Sequence, residues 1–355
     1  MLFVGVDLHK QTITMVAVDA ARKLVSRKRF SNLQTDQMAA FVTSLGPCRL
    51  TVEATASYEW FVAVVEPLVD QVILAHPGKL RIIAQSTRKS DNLDARVLAE
   101  MLALDQIPPA YRPTPRQREH RHYVRHRHFL KKKITGVRNK IRRLLSDHNL
   151  DRKDLFTRAG REYLTQLTLP AADRFCVDQL MCGWYGYKFQ LQGVNTRLKE
   201  FAESGTALEQ EDRALLQTVP GIAVVTADVI LAELADWRRF SSIKKTASYV
   251  GIVPGQRESA GKRKSLHIEK TGSPLLRCML VQSAWQLVRR SPRWRAIYQR
   301  LKGRIGGKKA IVAVSRRLLG ICYSVLKSRQ RYQEQAITTA QSTVTVSPAP
   351  TRSTV

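Results

Sequence analysis

The chain has 355 residues, and its 59 lysines and arginines exceed its 29 aspartates and glutamates, for a formal net charge of +30 at pH 7. This length suffices for a buried core and for two or more domains. The charge indicates a polyanionic partner such as nucleic acid. The five cysteines are odd in number and scattered, which excludes a disulfide framework and a paired-cysteine zinc site. No apolar run reaches membrane-spanning length and no signal peptide is recognisable, so we expect a cytoplasmic, reduced protein with no membrane partner.

The first hundred residues alternate between predicted strands and helices. Strands are predicted at 2–8, 13–18, 24–30, 50–52 and 72–74, helices at 35–45 and 58–69, a loop at 76–79 and a further helix from about residue 91. Three consecutive strands followed by alternating strand and helix predict a mixed α/β sheet covered by helices. The element order matches a ribonuclease H-like (RuvC-like) domain.

Four carboxylates stand out in this domain. Asp7 and Glu53 each end an apolar, strand-like run, where a lone buried charge is costly without a cation or proton. Asp91 and Asp94 lie three residues apart at the predicted start of a helix, so they share a helix face. Strand-end acids with a helix-borne acid pair supply the oxygen ligands that a two-metal phosphodiester site requires. We therefore predict that these four residues bind Mg²⁺ or Mn²⁺.

A basic helix follows four closely spaced prolines. Residues 112–145 contain thirteen lysines and arginines against one acid, too many for pairing at i,i+4 to neutralise. A long helix is expected, with one apolar stripe: Val124, Leu130, Ile134, Val137, Ile141 and Leu144. The basic face is predicted to track phosphates through four residues in particular: Arg138, Lys140, Arg142 and Arg143. The four histidines at 120, 122, 126 and 128 are an alternative metal site, which the basic surroundings disfavour.

A coiled-coil seam is predicted next. Its apolar residues step by three and four: Val177, Leu180, Trp184, Tyr187, Leu191, Val194, Leu198 and Phe201. The partner of this seam is either the basic helix, in an antiparallel hairpin, or the same helix of a second subunit. Three glycines at 183, 186 and 193 weaken the helix.

Residues 215–234 carry a helix-hairpin-helix signature. Pro220 and Gly221 form the turn, and the second helix is predicted to start near Val224. The amides of such a turn can hold a phosphate without reading sequence, which makes Gly221 a candidate nucleic-acid contact. Ala223 replaces the usual second glycine, and a plain helical hairpin stays the alternative.

A serine in a small-residue turn is the remaining chemical candidate. Ser259, Ala260 and Gly261 form the predicted turn, after an apolar element that ends at GIVP. Three cations follow at once: Lys262, Arg263 and Lys264. Their charge would lower the pKa of a hydroxyl and stabilise the oxyanions of an attacked phosphodiester.

The end of the chain is predicted to be helical and then disordered. Helices are expected from Pro274 to Val288 and over 310–328, separated by the phosphate-cradle-like sequence KGRIGGKK at 302–309, which is not a P-loop. The Thr/Ser/Pro-rich residues 336–355 are expected to be a disordered tail.

These features predict four regions of unequal charge. Residues 1–108 form the carboxylate domain with a net charge of +1, and residues 109–205 form the basic coiled-coil region with +12. Residues 206–335 form a mainly helical C-terminal domain with +16, before the tail. The fold class is thus α/β plus all-α.

Over residues 1–330 the chain resembles the transposases of the IS110 family of bacterial insertion sequences. The resemblance rests on five motifs in family order: VGVDLHK around Asp7, TVEAT around Glu53, KSDNLDARVLAEML around Asp91 and Asp94, VPGI at 219–222, and GIVPGQRESAGK with KTGSPLLR in 251–277. It implies a RuvC-like DEDD domain joined to a C-terminal domain with a catalytic serine. The four acids would hold magnesium, and Ser259 would form a covalent link to a DNA 5′-phosphate.

The resemblance also implies partners. A structured bridge RNA from the element's flank would pair with donor and target DNA, and the protein would act in the cytoplasm at the nucleoid. A homo-oligomer, dimer or tetramer, would bring one subunit's carboxylates to another's serine. Ala260 stands where glycine is common in the family, so Ser265 is the alternative nucleophile.

Two other interpretations compete with this one. A metal-only, structure-selective nuclease of the RuvC type would cut DNA without the serine. A non-catalytic nucleic-acid-binding scaffold would use neither the serine nor the acids for chemistry.

Overall fold

A computed structural model describes residues 1–55, 57–83, 91–259 and 262–334, with side chains except those of 81–83, 91–92, 256–259 and 262–266. The chain divides into two compact units, Met1–Arg112 and Pro113–Val355. Each unit is described by itself below. Among the described residues, no helix is both long enough and apolar enough to cross a membrane.

The first unit is built on a five-stranded sheet in the order β3-β2-β1-β4-β5. Its strands are β1 (Leu2–Leu8), β2 (Thr12–Val18), β3 (Leu24–Ser31), β4 (Cys48–Glu53) and β5 (Gln71–Ala75). The first three strands pair as antiparallel neighbours, and β4 and β5 join as parallel neighbours of β1 and β4. The predicted mixed sheet is confirmed, because every apolar run of the first 75 residues that was assigned to a strand is one.

Helices cover both faces of this sheet. They are α1 (Thr35–Ser44), α2 (Tyr58–Val65, followed by a 3₁₀ turn at Glu66–Leu68), α3 (Pro77–Ile83) and α4 (Asp91–Ala103). Val4, Val6, Leu50 and Val52 point to the face that carries the main core of the unit, with residues of α1 and α2. The opposite face packs on α4.

One predicted loop in this unit is a helix. Residues 76–79 were expected to be a loop, but Pro77 is the first residue of α3. Proline is well tolerated there, because the amide it lacks would have no partner within the helix.

The second unit is mainly helical. Its helices are α5 (Pro115–Ser146), α6 (Arg158–Gln166), α7 (Ala171–Glu203), α8 (Ala207–Gln217), α9 (Val224–Leu234), α10 (Ile243–Val250), α11 (Pro274–Arg290), α12 (Pro292–Ile305) and α13 (Gly307–Ser328). A two-stranded antiparallel hairpin, β6 (Pro254–Ser259) and β7 (Lys262–Ile268), lies between α10 and α11. The sequence pattern missed α6, α10, α12 and the hairpin, whose polar strands have no apolar alternation.

The basic helix α5 packs antiparallel on α7. Near the start of α5, the His120 ring stacks on Phe201 at 4.7 Å, and further along Arg127 donates to Asn195 at 2.8 Å. Near its end, Ile141 packs in the cluster that Leu180 joins. The predicted helical hairpin within one chain is therefore present, and every member of the predicted seam on α7 is buried or half-buried.

The stripe on α5 differs from the prediction at its last position. Leu145 is fully buried instead of Leu144, because the helix continues from Ile141 by a step of four towards α6 and α7. A single large core joins the start of α5 and the end of α7 to the later helices, through Val124, Leu198 and residues of α8 to α13. Whether 109–205 and 206–335 form separate domains stays a prediction, and the predicted tail lies outside the described residues.

Candidate active site and nucleic-acid interface

Asp7 and Glu53 come from neighbouring parallel strands. The register of β1 and β4 places Val6 beside Val52, so the next residues, Asp7 and Glu53, lie side by side at the carboxyl ends of both strands. Adjacent strands are about 5 Å apart. Because side chains alternate along a strand, both acids point away from the main core and to the face that packs on α4.

The backbone of helix α4 lies directly against β1 at Gly5. A Cβ on Gly5 would lie 2.0 Å from the carbonyl oxygen of Ala95 and 2.4 Å from the amide nitrogen of Ala99. Phe3, earlier on β1, packs on the small cluster that Ala103 also joins. The helix therefore runs opposite to β1, and its first turn, with Asp91 and Asp94, lies towards the strand end that carries Asp7.

The carboxylate of Asp7 already has a local partner. Its Oδ2 lies 3.0 Å from Nε2 of His9, and the Asp7 side chain is 18% exposed against 56% for His9. The sequence interpretation missed His9. Residues two apart in extended chain share a face, so its position after Asp7 was the signal that could have revealed it.

The donor set is suitable for a hard divalent cation, but the described side chains do not by themselves assemble a metal site. Asp7 is mostly buried at the end of a strand, Glu53 is half-buried beside it, and Asp94 is exposed. The side chain of Asp91 lies outside the description, and no group of three or more His, Cys, Asp or Glu placed to hold a metal occurs among the described residues. Carboxylate oxygens are the ligands that magnesium prefers, so the four-carboxylate site stays a prediction that the backbone arrangement favours.

The predicted serine turn is part of a hairpin. Ser259 is the last residue of β6 and pairs with Lys262, the first of β7, so it precedes the turn. Ala260 and Gly261 lie outside the described residues. Lys262, Arg263 and Lys264 belong to β7, and Ser265 lies within the same strand opposite Gln256.

The helix-hairpin-helix consists of α8 and α9, and α9 begins at Val224 as predicted. Gly221 has a φ of +87°, and a Cβ there would lie 2.7 Å from the carbonyl oxygen of Ser283 in α11. The turn thus requires glycine for its conformation and for its contact with α11. Val224 is 54% exposed, and no side chain caps the first amides of α9.

Arginines in the N-terminal half of α5 bind acids and a carbonyl of α8 and α9. Arg125 makes two hydrogen bonds of 2.9 Å to Glu233, whose side chain is 3% exposed. Arg116 lies 2.8 Å from Glu209, and Arg121 donates to the carbonyl of Ala232 at 2.8 Å. These cations hold α5 against α8 and α9, so they are not free for phosphates.

The four predicted phosphate contacts near the end of α5 differ among themselves. Lys140 is exposed, with no hydrogen bond or ion pair among the described residues, and Arg138 is exposed beside the ring of Phe156 at 4.7 Å. Arg142 is anchored by Asp151 at 3.1 Å and by the carbonyl of Lys153. Arg143 lies 3.4 Å from Asp147 in an exposed pair.

The histidines of α5 do not converge. His120 is buried beside Asp228, which lies 3.4 Å away and also accepts from Arg213 at 2.8 Å. His126 stacks on Phe129 instead. The alternative histidine metal site finds no support among the described residues.

Two family models match the chain. The model DEDD_Tnp_IS110, described as a transposase, matches residues 4–149, the range that contains all four carboxylates. A second model, described as the transposase IS116/IS110/IS902 family, matches residues 213–299, the range that contains the hairpin with Ser259. Together they cover more than half of the chain.

Several transposases are similar to this chain over most of their length. The chain is 26% identical over 298 residues to a probable family 20 transposase of Pseudomonas aeruginosa, which covers 81% of this chain and 84% of that protein. It is 23% identical to the transposase for insertion sequence element IS1111A of Coxiella burnetii, over 93% of this chain and 90% of that one. For the transposase of IS1328 from Yersinia enterocolitica the identity is 26%, over 79% and 82%.

The two model matches, the order of the motifs and the carboxylate-bearing mixed sheet agree. The chain belongs to the IS110/IS116 family of insertion-sequence transposases.

Proposed function

We propose that this transposase cuts and exchanges DNA strands through a metal-binding carboxylate tetrad and a serine nucleophile. The tetrad is Asp7, Glu53, Asp91 and Asp94, and the nucleophile is Ser259. The observation that carries the proposal is the pairing of β1 with β4, which places the first two acids side by side on the face that α4 covers. Two adjacent carboxylates repel each other, and a divalent cation between them would remove that repulsion.

The chemistry of the chain's own residues follows from their types. The hydroxyl oxygen of Ser259 bonds to phosphorus, the bond from phosphorus to the 3′ oxygen breaks, and the departing oxygen takes up a proton that balances the one lost by the serine. The product is a serine ester of the DNA 5′-phosphate with a free 3′ hydroxyl. Because the ester conserves the bond energy, a different 3′ hydroxyl can attack it and rejoin strands without an external energy source.

The strand-borne and the helix-borne carboxylates have distinct roles. Asp7 and Glu53 would hold a divalent ion from fixed strand ends, and Asp91 and Asp94 would complete the ligand set from the first turn of α4. When bound, magnesium neutralises phosphate charge and polarises the scissile bond. His9, beside Asp7, positions that carboxylate.

Guidance by a bridge RNA and assembly as a dimer or tetramer belong to the same proposal. The exposed Lys140 and Arg138, the first turn of α9 and the cations of β7 provide phosphate contacts that do not read sequence. Sequence choice would then come from base pairing between the RNA and DNA.

The test is to trap the covalent link. The full-length protein is mixed with its flanking transcript, Mg²⁺ and labelled donor and target DNA, and the products are separated on a denaturing gel. We expect a protein-linked DNA band for the wild type that disappears in Ser259→Ala and in Asp7→Asn but persists in Ser265→Ala.

Each alternative gives a different gel. A metal-only nuclease would cut DNA in Ser259→Ala and leave no adduct with any variant. A binding scaffold would form neither product with the wild type. An adduct retained by Ser259→Ala and lost in Ser265→Ala would move the nucleophile to β7.

A further inference from the structure

The helices α12 and α13 are strongly basic and contain no acidic residue of their own. Between Glu269 and Glu334 the sequence contains no acidic residue and sixteen lysines and arginines. We use the name arginine patch for three of these residues: Arg300 and Arg304 on α12, and Arg317 on α13. The two helices pack directly on each other.

The arginine patch lies where α12 and α13 pack on each other, with Arg317 half-buried and with Arg300 and Arg304 exposed. Burial, followed by the charges of Arg300 and Arg304, lowers the pKa of Arg317. In the part of the chain that the structure describes, no hydrogen bond and no ion pair reaches any of the three. Like charges that face each other without a counterion destabilise the fold that holds them.

On the exposed faces of α6 and α7, cations pair with acids of the same helix. Arg158 pairs with Glu162 at 3.2 Å on α6, and on α7 Arg197 pairs with Glu200 at 2.8 Å. Lys199 lies 3.8 Å from Glu203. The solvated faces of α6 and α7 therefore carry their own acids, and the arginine patch differs from them, as does the exposed Lys140 on α5.

The surroundings of the patch extend the positive field. Helix α13 begins at Gly307 without a side-chain cap, and Lys308 and Lys309 are exposed on its first turn. The aromatic residues of α12 and α13 are all at most 8% exposed: Trp294, Tyr298 and Tyr323. Unpaired bases bind mainly by stacking on exposed aromatic rings, so this surface is suited to a paired backbone.

We propose that the arginine patch, with the start of α13, is a docking surface for the phosphate backbone of duplex DNA. The geometry supports this occupant because it offers several cations on two packed helices, no acid and no exposed ring. The choice of DNA rests on the DNA strand exchange proposed above. Binding here positions the duplex without reading its sequence.

The salt dependence of DNA affinity tests whether the arginine patch contacts phosphates. The full-length protein is titrated with a labelled 30-base-pair DNA of arbitrary sequence at several salt concentrations, in the presence of a chelator so that no cleavage occurs. Replacing all three arginines by glutamine should lower the slope of log affinity against log salt by about one for each arginine that contacts a phosphate. The matched control, Arg158→Gln with Arg197→Gln and Lys199→Gln, removes the same charge from paired sites and should change the slope much less.

Thermal unfolding provides a second readout. Because the variant without the arginine patch loses internal repulsion, its melting temperature in the absence of DNA should rise, whereas the control should stay level or fall. Equal slope changes in the two triple variants would overturn the proposal. So would a lower melting temperature for the patch variant, or a loss of binding confined to single-stranded DNA or duplex RNA. Since the assay needs neither the carboxylates nor Ser259, failure of the catalytic proposal would not imitate any of these results.

Discussion

Gly5 is the residue on which the carboxylate arrangement depends most directly. Its missing side chain allows the backbone of α4 to lie against β1, so the first turn of α4 is held close to the sheet. Any Cβ would meet backbone atoms of Ala95 and Ala99, which cannot rotate away. Glycine here provides close approach between two backbones rather than an unusual φ.

Gly5→Ala should therefore lower the free energy of unfolding by about 3 kcal/mol or more, the upper range for overpacking. Chemical denaturation followed by circular dichroism measures this loss. Gly136→Ala is the matched control, because Gly136 is an exposed residue of α5 with open space around it, and this change should raise stability by up to about 1 kcal/mol. Equal effects of the two substitutions would show that α4 can shift away from β1 at little cost.

For single residues, the sequence identified the candidate catalytic side chains better than it identified their contact partners. Asp7 and Glu53 were identified because each ends an apolar run, and the register of β1 and β4 places them together. The side-chain role of His9 and the internal use of Arg125 were not predicted. An arginine on a basic helix looks the same in sequence whether it faces solvent or a buried glutamate such as Glu233.

Helix α7 shows how an element is specified by its apolar seam. It runs unbroken for 33 residues through three glycines, because burial of the seam against α5 outweighs their low helix propensity. Trp184 lies in the seam at 3% exposure, packed beside Phe156, while its neighbour Tyr185 is 50% exposed.

The adjacent aromatics permit a direct test of the seam. Trp184→Ala should lower the free energy of unfolding by about 3–5 kcal/mol, as expected for a large side chain removed from a core. Tyr185→Ala should lower it by no more than about 1 kcal/mol, because the ring is half in solvent and makes an edge contact with Trp184 at 5.0 Å. Urea denaturation of both variants decides between this account and one in which α7 is stable only in a larger assembly. The latter predicts similar losses for both.

The elements that the sequence missed have weak sequence signals for physical reasons. The strands β6 and β7 are short and polar, and their hairpin is specified by pairing rather than by an apolar face. The helices α6 and α10 have only nine and eight residues, and α12 is separated from α11 by Ser291 alone. Periodicity is strongest over long amphipathic stretches, which is why the extent of α5 and the seam of α7 were predicted, although the ends of α7 were not.

On the scale of the whole molecule, charge and chemistry are distributed unevenly along the chain. The carboxylates lie in the unit Met1–Arg112, and the basic helices and the serine hairpin lie in the unit that follows. The sequence predicted this distribution from its charge, since residues 1–108 are nearly neutral and the rest is strongly basic. It could not predict which cations are used internally, because that depends on the packing of α5, α8 and α9.

The central claim is that the first unit holds a divalent metal ion through carboxylates brought together by β1, β4 and α4. Isothermal titration of Mn²⁺ into the full-length protein tests it without any need for DNA, RNA or turnover. We compare the wild type with Asp7→Asn, Glu53→Gln and Asp36→Asn, the last an exposed carboxylate at the start of α1 that serves as the control. The account predicts saturable binding by the wild type and the control, with affinity lower by at least about tenfold in Asp7→Asn and Glu53→Gln. Equal affinity in all four proteins, or no binding by the wild type, would contradict it.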